Sequence, residues 1–299
     1  MLDFSKIKTY SIARRRNKFS LADLKRPGDP APETVGSPEL ARLAERIVAA
    51  RKNDRPVIWM MGAHLIKLGL SPFVLDLLDR KILTHVATNG ATTIHDFEVA
   101  LLGATSENVA VTIVDGSFGM AEETGRDMNA AIKRGVENKW GMGYALGRWI
   151  AEHNLPHREW SILNRAYELQ VPFTVHVSIG TDIIYQHPTC DGAALGATSY
   201  QDFKLFTESV SQLEGGVVLN VGSSVLMPEV FLKALSVARN LGCTVSHLTT
   251  ANLDMIDHYR PRENVLTRPT SLGGQGIFIQ GRHEVTIPSL HQLITNSKN

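Results

Sequence analysis

VIWMMGAHLIKLG (57–69) and LTHVATNGATTIHDFEVALL (83–102) share one rhythm. A short apolar run, Val57–Met61 in the first and Leu83–Thr88 in the second, stops at small residues and gives way to helical spacing. That is the βα alternation of a parallel sheet whose strand ends open onto a ligand. The run Ala87-Thr88-Asn89-Gly90-Ala91-Thr92-Thr93 reads as a loop where backbone amides and hydroxyls approach a bound molecule rather than as core.

The same rhythm continues outward. Further strands are expected at Val109–Val114, Val171–Val177, Gly216–Val221 and Cys243–Thr249, with a late pair at Ile277–Ile279 and Val285–Ile287. Helices are expected at 71–78, 95–102, 158–169, 200–213 and 228–242, with two more across 121–153 broken around Gly141 and Gly143. Ser37-Pro38-Glu39 starts a helix with a serine cap, a proline in the first turn and a carboxylate at the positive end of the dipole. The strands are continuous apolar runs rather than alternating ones, as in a sheet covered on both faces. The expected fold is therefore α/β: a doubly wound, mostly parallel sheet with helices on both faces. Residues 1–36, with Pro27-Gly28-Asp29-Pro30-Ala31-Pro32, read as an N-terminal arm, and 37–299 as a single domain.

Composition narrows the function. A chain of 299 residues with 43% apolar content can bury a full core. The net charge of +1 carries no concentrated basic stripe beyond Arg14-Arg15-Arg16, read as a solvated stretch of the arm, so nucleic acid is not an expected partner. Two distant cysteines suit a reducing cytoplasm, and no apolar run is long enough to span a membrane.

Ligands of doubly wound sheets sit beyond the carboxyl ends of the strands. Small or polar clusters are expected there at Gly62-Ala63-His64, Thr88-Asn89-Gly90, Ser178–Asp182, Gly222-Ser223-Ser224 and Thr249–Asn252. Gly222-Ser223-Ser224 suits an anion held by backbone amides at a helix start, or else an ordinary turn. Asp182 is a carboxylate for a cationic or hydroxyl-bearing ligand, or a helix cap. His64, and His95 beside Asp96, are acid–base candidates, with capping and solvent exposure as the alternatives. His176, Asp182 and His187 cluster in sequence, but their spacing matches no metal motif.

Four stretches, VIWMMGAHLIKLG, THVATNGATTIHDFE, PFTVHVSIGTDIIYQH and GGVVLNVGSSV, give the segment order from about Pro56 to Ile294 a resemblance to the deoxyhypusine synthase family. The resemblance implies a Rossmann-like fold, NAD as cofactor, a homotetramer or homodimer with sites at subunit interfaces, and a small amine or polyamine substrate. It places Thr88, Asn89, Gly90, Gly222, Ser223, Thr250 and Ala251 on the cofactor and Asp182 on the substrate amine. The family's imine-forming lysine has no counterpart, because Ser271–Ile277 offers Gln275 and Gly276 where the lysine would stand. Glutamine forms no imine, so that covalent route is lost. The family's substrate histidine is also missing, since Met227-Pro228-Glu229 follows the glycine turn. The expectation is an NAD-dependent enzyme acting on a small amine by aminobutyl transfer or amine oxidation, with His64, His95 and Asp182 as catalytic residues. The alternatives are a non-catalytic nucleotide-binding protein and a metal-dependent hydrolase.

Overall fold

The computed structural model describes residues 2–29 and 37–297. Among the described residues eight strands are formed: β1 (Asn17–Ser20), β2 (Val57–Met61), β3 (His85–Asn89), β4 (Ala104–Glu107), β5 (Phe173–His176), β6 (Val217–Val221), β7 (Thr249–Asp254) and β8 (Gln275–Gln280). Six of them make one sheet in the order β5-β3-β2-β6-β7-β8, with every neighbouring pair parallel. Counted along the chain within this sheet, the order is 3-2-1-4-5-6, the dinucleotide-binding arrangement of the Rossmann fold.

The strands read as continuous apolar runs because both faces are covered. In β2, Val57, Trp59 and Met61 join one core cluster while Ile58 and Met60 join the other. The first cluster gathers the helices Pro38–Lys52, Ser71–Asp79, Gly90–Leu102, Glu122–Asn138, Met142–Glu152 and His283–Asn296. The second is built on Phe206 of the helix Gly192–Ser211 and Phe231 of the helix Leu226–Asn240. Trp59, Phe206 and Phe231 are almost wholly buried, each contributing about 1.5–3 kcal/mol of burial. Local signals set the helix ends as the sequence implies. Ser37 Oγ accepts from the Glu39 and Leu40 amides, and Gly103 closes its helix at φ 67°.

Several expectations are corrected. Val109–Val114 is not a strand: Val109–Thr112 forms a helical turn and the valines face outward. The place beside β3 is taken by β5, and this run closes on itself, the Thr112 and Ile113 amides donating to the Asn108 and Val109 carbonyls. The strand drawn at Cys243–Thr249 instead runs Thr249–Asp254, and Val285–Ile287 lies inside the helix His283–Asn296. The helix drawn at 158–169 is regular from Ile162, where Asp96 accepts from the Ile162 and Leu163 amides and from Ser161 Oγ. Gly90–Thr93 is no loop but the first turn of a helix, with Thr92 and Thr93 fully buried.

The arm is not a free extension either. β1 pairs antiparallel with β4, and Phe19 packs on Ile66 and Val99. Arg15, read from sequence as solvated, is buried against Glu98. Pro30–Pro32 and the boundary drawn at residue 36 lie outside the described residues.

Candidate functional site

Because the sheet is wholly parallel, the carboxyl ends of its strands share one rim. In the strand order, Asp182 follows β5, Asn89-Gly90 closes β3, and Gly62-Ala63-His64 follows β2. Gly222-Ser223 follows β6, Asp254 ends β7, and His283 comes shortly after β8. Four of the five expected clusters are on this rim. The fifth is not: Thr250 and Ala251 are fully buried inside β7, paired with Val218 and Leu219. The residue that reaches the rim from β7 is Asp254.

The direction of winding reverses between β2 and β6, and a crevice opens at such a switch point. Two glycines meet there. A Cβ on Gly62 would lie 2.6 Å from the Gly222 carbonyl oxygen, and one on Gly222, at φ 64°, would lie 2.6 Å from His283 Nε2. The Gly62 and Gly222 amides donate to the Val221 and Leu253 carbonyls, so both turns continue the ladder before they diverge. Ser223 Oγ accepts from the Met227 amide and caps the helix Leu226–Asn240, whose positive end faces the crevice. His283 is buried with Nδ1 unpartnered, and burial lowers its pKa. His64 is exposed at the head of the short helix His64–Lys67.

Past the ends of β3 and β5 lies a cavity of about 200 Å³ lined by Arg15, Lys67, Ala91, His95, Glu98 and Asp182, among others. Asp182 Oδ2 accepts from Tyr185 Oη at 2.6 Å, and the carboxylate lies by the Ala91 amide at the start of the helix Gly90–Leu102. It packs so closely on Gly90 that a side chain there would overlap it. Burial raises the Asp182 pKa, opposed by the Tyr185 hydrogen bond. His95 Nδ1 contacts Thr105 Oγ1 at 2.7 Å, and burial lowers its pKa to about 4. A larger cavity, about 720 Å³, lies between Lys25–Asp29 and the C-terminal helix. It is away from the strand ends, and its His291 and Arg80 are already paired with Asp76.

The structure thus brings His64, His95 and Asp182 to one rim with Asn89, Gly90, Gly222 and Ser223. Asn89 is engaged as a helix cap, accepting from the Thr92 amide and hydroxyl. Thr88 turns its hydroxyl to the Met61 carbonyl inside the sheet. Asp96 and His95 are neighbours in sequence but serve different places. His176 contacts Thr174 within the sheet and His187 contacts the Gly119 carbonyl, so neither joins Asp182. Among the described residues no group of three or more His, Cys, Asp or Glu side chains is placed to hold a metal. Gln275 opens β8 at the opposite edge of the sheet, so the segment expected to replace the family lysine is remote from the rim.

Sequence reading missed Arg15, Glu98 and His283. Glu98 had a signal, a carboxylate inside the apolar run Phe97–Ala100, which demands a counter-ion. His283 had a weaker one, a glycine at 281 just past an apolar run.

No protein-family model and no curated protein sequence matches the chain. Solved structures do. Unliganded AgrE superposes with a TM-score of 0.56 at 14% identity, covering 87% of this chain and 32% of AgrE. A Methanococcus maripaludis S2 protein designated LOR/SDH gives 0.55 at 16%, covering 90% and 73%. An Entamoeba histolytica protein designated a deoxyhypusine synthase gives 0.53 at 9%, covering 87% and 88%. The chain therefore spans about a third of AgrE and most of the other two. At these identities the likeness shows the fold, a doubly wound Rossmann-like sheet. No helix among the described residues is long and apolar enough to cross a membrane.

Proposed function

We propose that the chain is an NAD-dependent enzyme acting on a small amine. The observation that carries this reading is the strand order, whose switch point lies between β2 and β6, where Gly62 and Gly222 let the two turns pack closely. Gly62, Ala63, Gly222 and Ser223 would hold the dinucleotide phosphates, with Asn89 and Gly90 at the adjoining strand end. The Gly62 and Gly222 amides already donate to the Val221 and Leu253 carbonyls, so the feature that fits an anion is the helix start behind Ser223. The rim departs from the usual fingerprint in that Asn89, not a carboxylate, ends β3. AgrE, a structural neighbour, has been crystallised with ornithine and NAD+, which supports the cofactor at the level of the fold.

The bound dinucleotide would supply a hydride acceptor. This chain's residues do the rest. Asp182 offers a carboxylate to the substrate ammonium at the floor of the cavity, and charge-assisted hydrogen bonds of this kind contribute about 1.5–3 kcal/mol. His95 stays neutral near pH 7 and offers a nitrogen lone pair to an N–H or O–H group. His64 stands in solvent at the crevice mouth, where it can exchange protons with water. Residues 1–36 are assigned to an arm and 37–299 to a single domain that assembles as a homotetramer or homodimer. A second reading, a non-catalytic nucleotide-binding protein, is favoured by the commitment of Asp182 and Glu98 to internal donors.

The test is NADH formation at pH 7–8 with a panel of diamines and amino acids, run beside calorimetric titration with NAD+. Amine-dependent reduction supports the enzyme, and binding without reduction supports the second reading. The absence of dinucleotide binding overturns both.

A further inference from the structure

Glu98 accepts two hydrogen bonds on each oxygen. Oε1 takes Arg15 Nη1 at 2.7 Å and Thr124 Oγ1 at 2.9 Å; Oε2 takes Arg15 Nη2 at 2.6 Å and Thr105 Oγ1 at 2.5 Å. Arg15 and Glu98 are 3% and 1% exposed, so water does not compete. A carboxylate so surrounded has no place left for a proton and only accepts. Thr105 has one hydroxyl hydrogen and gives it to Glu98. In its contact with His95 Nδ1 the hydroxyl oxygen must therefore accept. The hydrogen-bond network thus assigns the ring hydrogen to Nδ1 and the lone pair to Nε2. Nε2 has no hydrogen-bond partner among the described residues, and His95 lines the cavity with Lys67 and Asp182.

We propose that Arg15, Glu98 and Thr105 are positioning residues that lock His95 in its Nδ1–H form and present Nε2 to the cavity as a fixed acceptor for an N–H or O–H group of the ligand. The N-terminal arm, which carries Arg15, is then a working part of the site. The direction of the chain of hydrogen bonds is set by the guanidinium at its far end. The groups facing His95 are Glu98, which favours its charged form, and Lys67, Arg15 and His64, which oppose it. Desolvation outweighs them all, so the ring is neutral at the pH where the lock operates. The ligand's identity rests on the function proposed above; the locked ring form does not.

Nitrogen-15 spectra of the full chain labelled at histidine read the ring form directly, with His95→Gln identifying the signal. Over roughly pH 6–8, Nδ1 is expected in the protonated range and Nε2 in the unprotonated range, without movement. Thr105→Val removes the acceptor and should shift both nitrogens toward averaged positions, and Thr105→Ser should restore the original pattern. In Arg15→Gln the guanidinium that fixes Glu98 as an acceptor is gone, so its hold on the Thr105 hydroxyl weakens and both ring nitrogens should move toward averaged positions. An Nε2–H ring in the unmodified protein, or a pattern indifferent to Thr105→Val, overturns the proposal. The Thr105 pair decides the matter even if Arg15→Gln fails to fold. Addition of 1,4-diaminobutane with NAD+ should move the Nε2 signal. A locked ring whose Nε2 does not respond would overturn the ligand-facing role and leave the lock standing.

Discussion

Gly222→Ala is the most informative single change at the rim. Gly222 sits at φ 64°, where a side chain crowds its own carbonyl, at a cost of about 1–2 kcal/mol. The added methyl would also stand 2.6 Å from His283 Nε2 and 3.4 Å from Cδ2. The imidazole must retreat by several tenths of an ångström into a packed surround, since His283 is buried. Overpacking of this kind costs about 1–3 kcal/mol. The total for Gly222→Ala is then about 2–5 kcal/mol. In a His283→Ala background only the backbone contribution remains, so the same substitution should cost about 1–2 kcal/mol. Urea unfolding of the four proteins of this double-mutant cycle measures both, with an unchanged m-value showing that the compactness of neither state has altered. Equal costs in the two backgrounds would refute the contact between the β6 turn and His283. No cost in either background would refute the left-handed turn itself.

Two further outcomes are expected. His85 and His176 are buried in one hydrogen-bonded cluster with Thr174 and Ser209, and burial lowers each pKa to about 3. The unfolded chain takes up these protons near pH 6.5 and the folded chain refuses them. Stability is therefore full above the unfolded value and falls as pH drops from 6.5 toward 3. By pH 5 the loss is about 2 kcal/mol per histidine; a flat urea midpoint between pH 7 and 5, or a drop unaffected by His176→Gln, would refute this. Phe19→Ala should release the arm, because the ring fills the small cluster with Ile66 and Val99, at a cost of about 3–5 kcal/mol. Tryptic cleavage at Arg14–Arg16 should then accelerate well before global unfolding, and equal cleavage rates in the two proteins would show that the arm is not held this way.

The layered sheet was legible because buried parallel strands leave continuous apolar runs, and glycines at 62 and 222 marked their ends. The same rule failed at β7. Thr249, Thr250 and Asn252 look like loop residues, yet they lie within the strand, where Asn220 Nδ2 donates to Asn252 Oδ1 across the β6–β7 pair. It failed again at Val109–Val114, where a strand-like run closes into a helical turn and leaves its valines exposed. The first turn after β3 was misjudged for a related reason: Thr92 and Thr93 satisfy their hydroxyls on Asn89 and the Gly90 carbonyl and so can be core. The rim positions of His64, His95 and Asp182 were legible because these residues follow strands. The Arg15–Glu98–Thr105 arrangement was not, because its members come from the arm, a helix and β4, and no local pattern reports a contact across 83 residues of chain.

The central claim is that a dinucleotide binds at the reversal between β2 and β6. A crystal structure of the protein with saturating NAD+ tests it most directly. Pyrophosphate density is expected against the backbone of Gly62–Ala63 and Gly222–Ser223, with the nicotinamide end toward the His95 and Asp182 cavity. Dinucleotide ordered at another face of the molecule, or a β2–β6 crevice that stays empty at saturation, would contradict it.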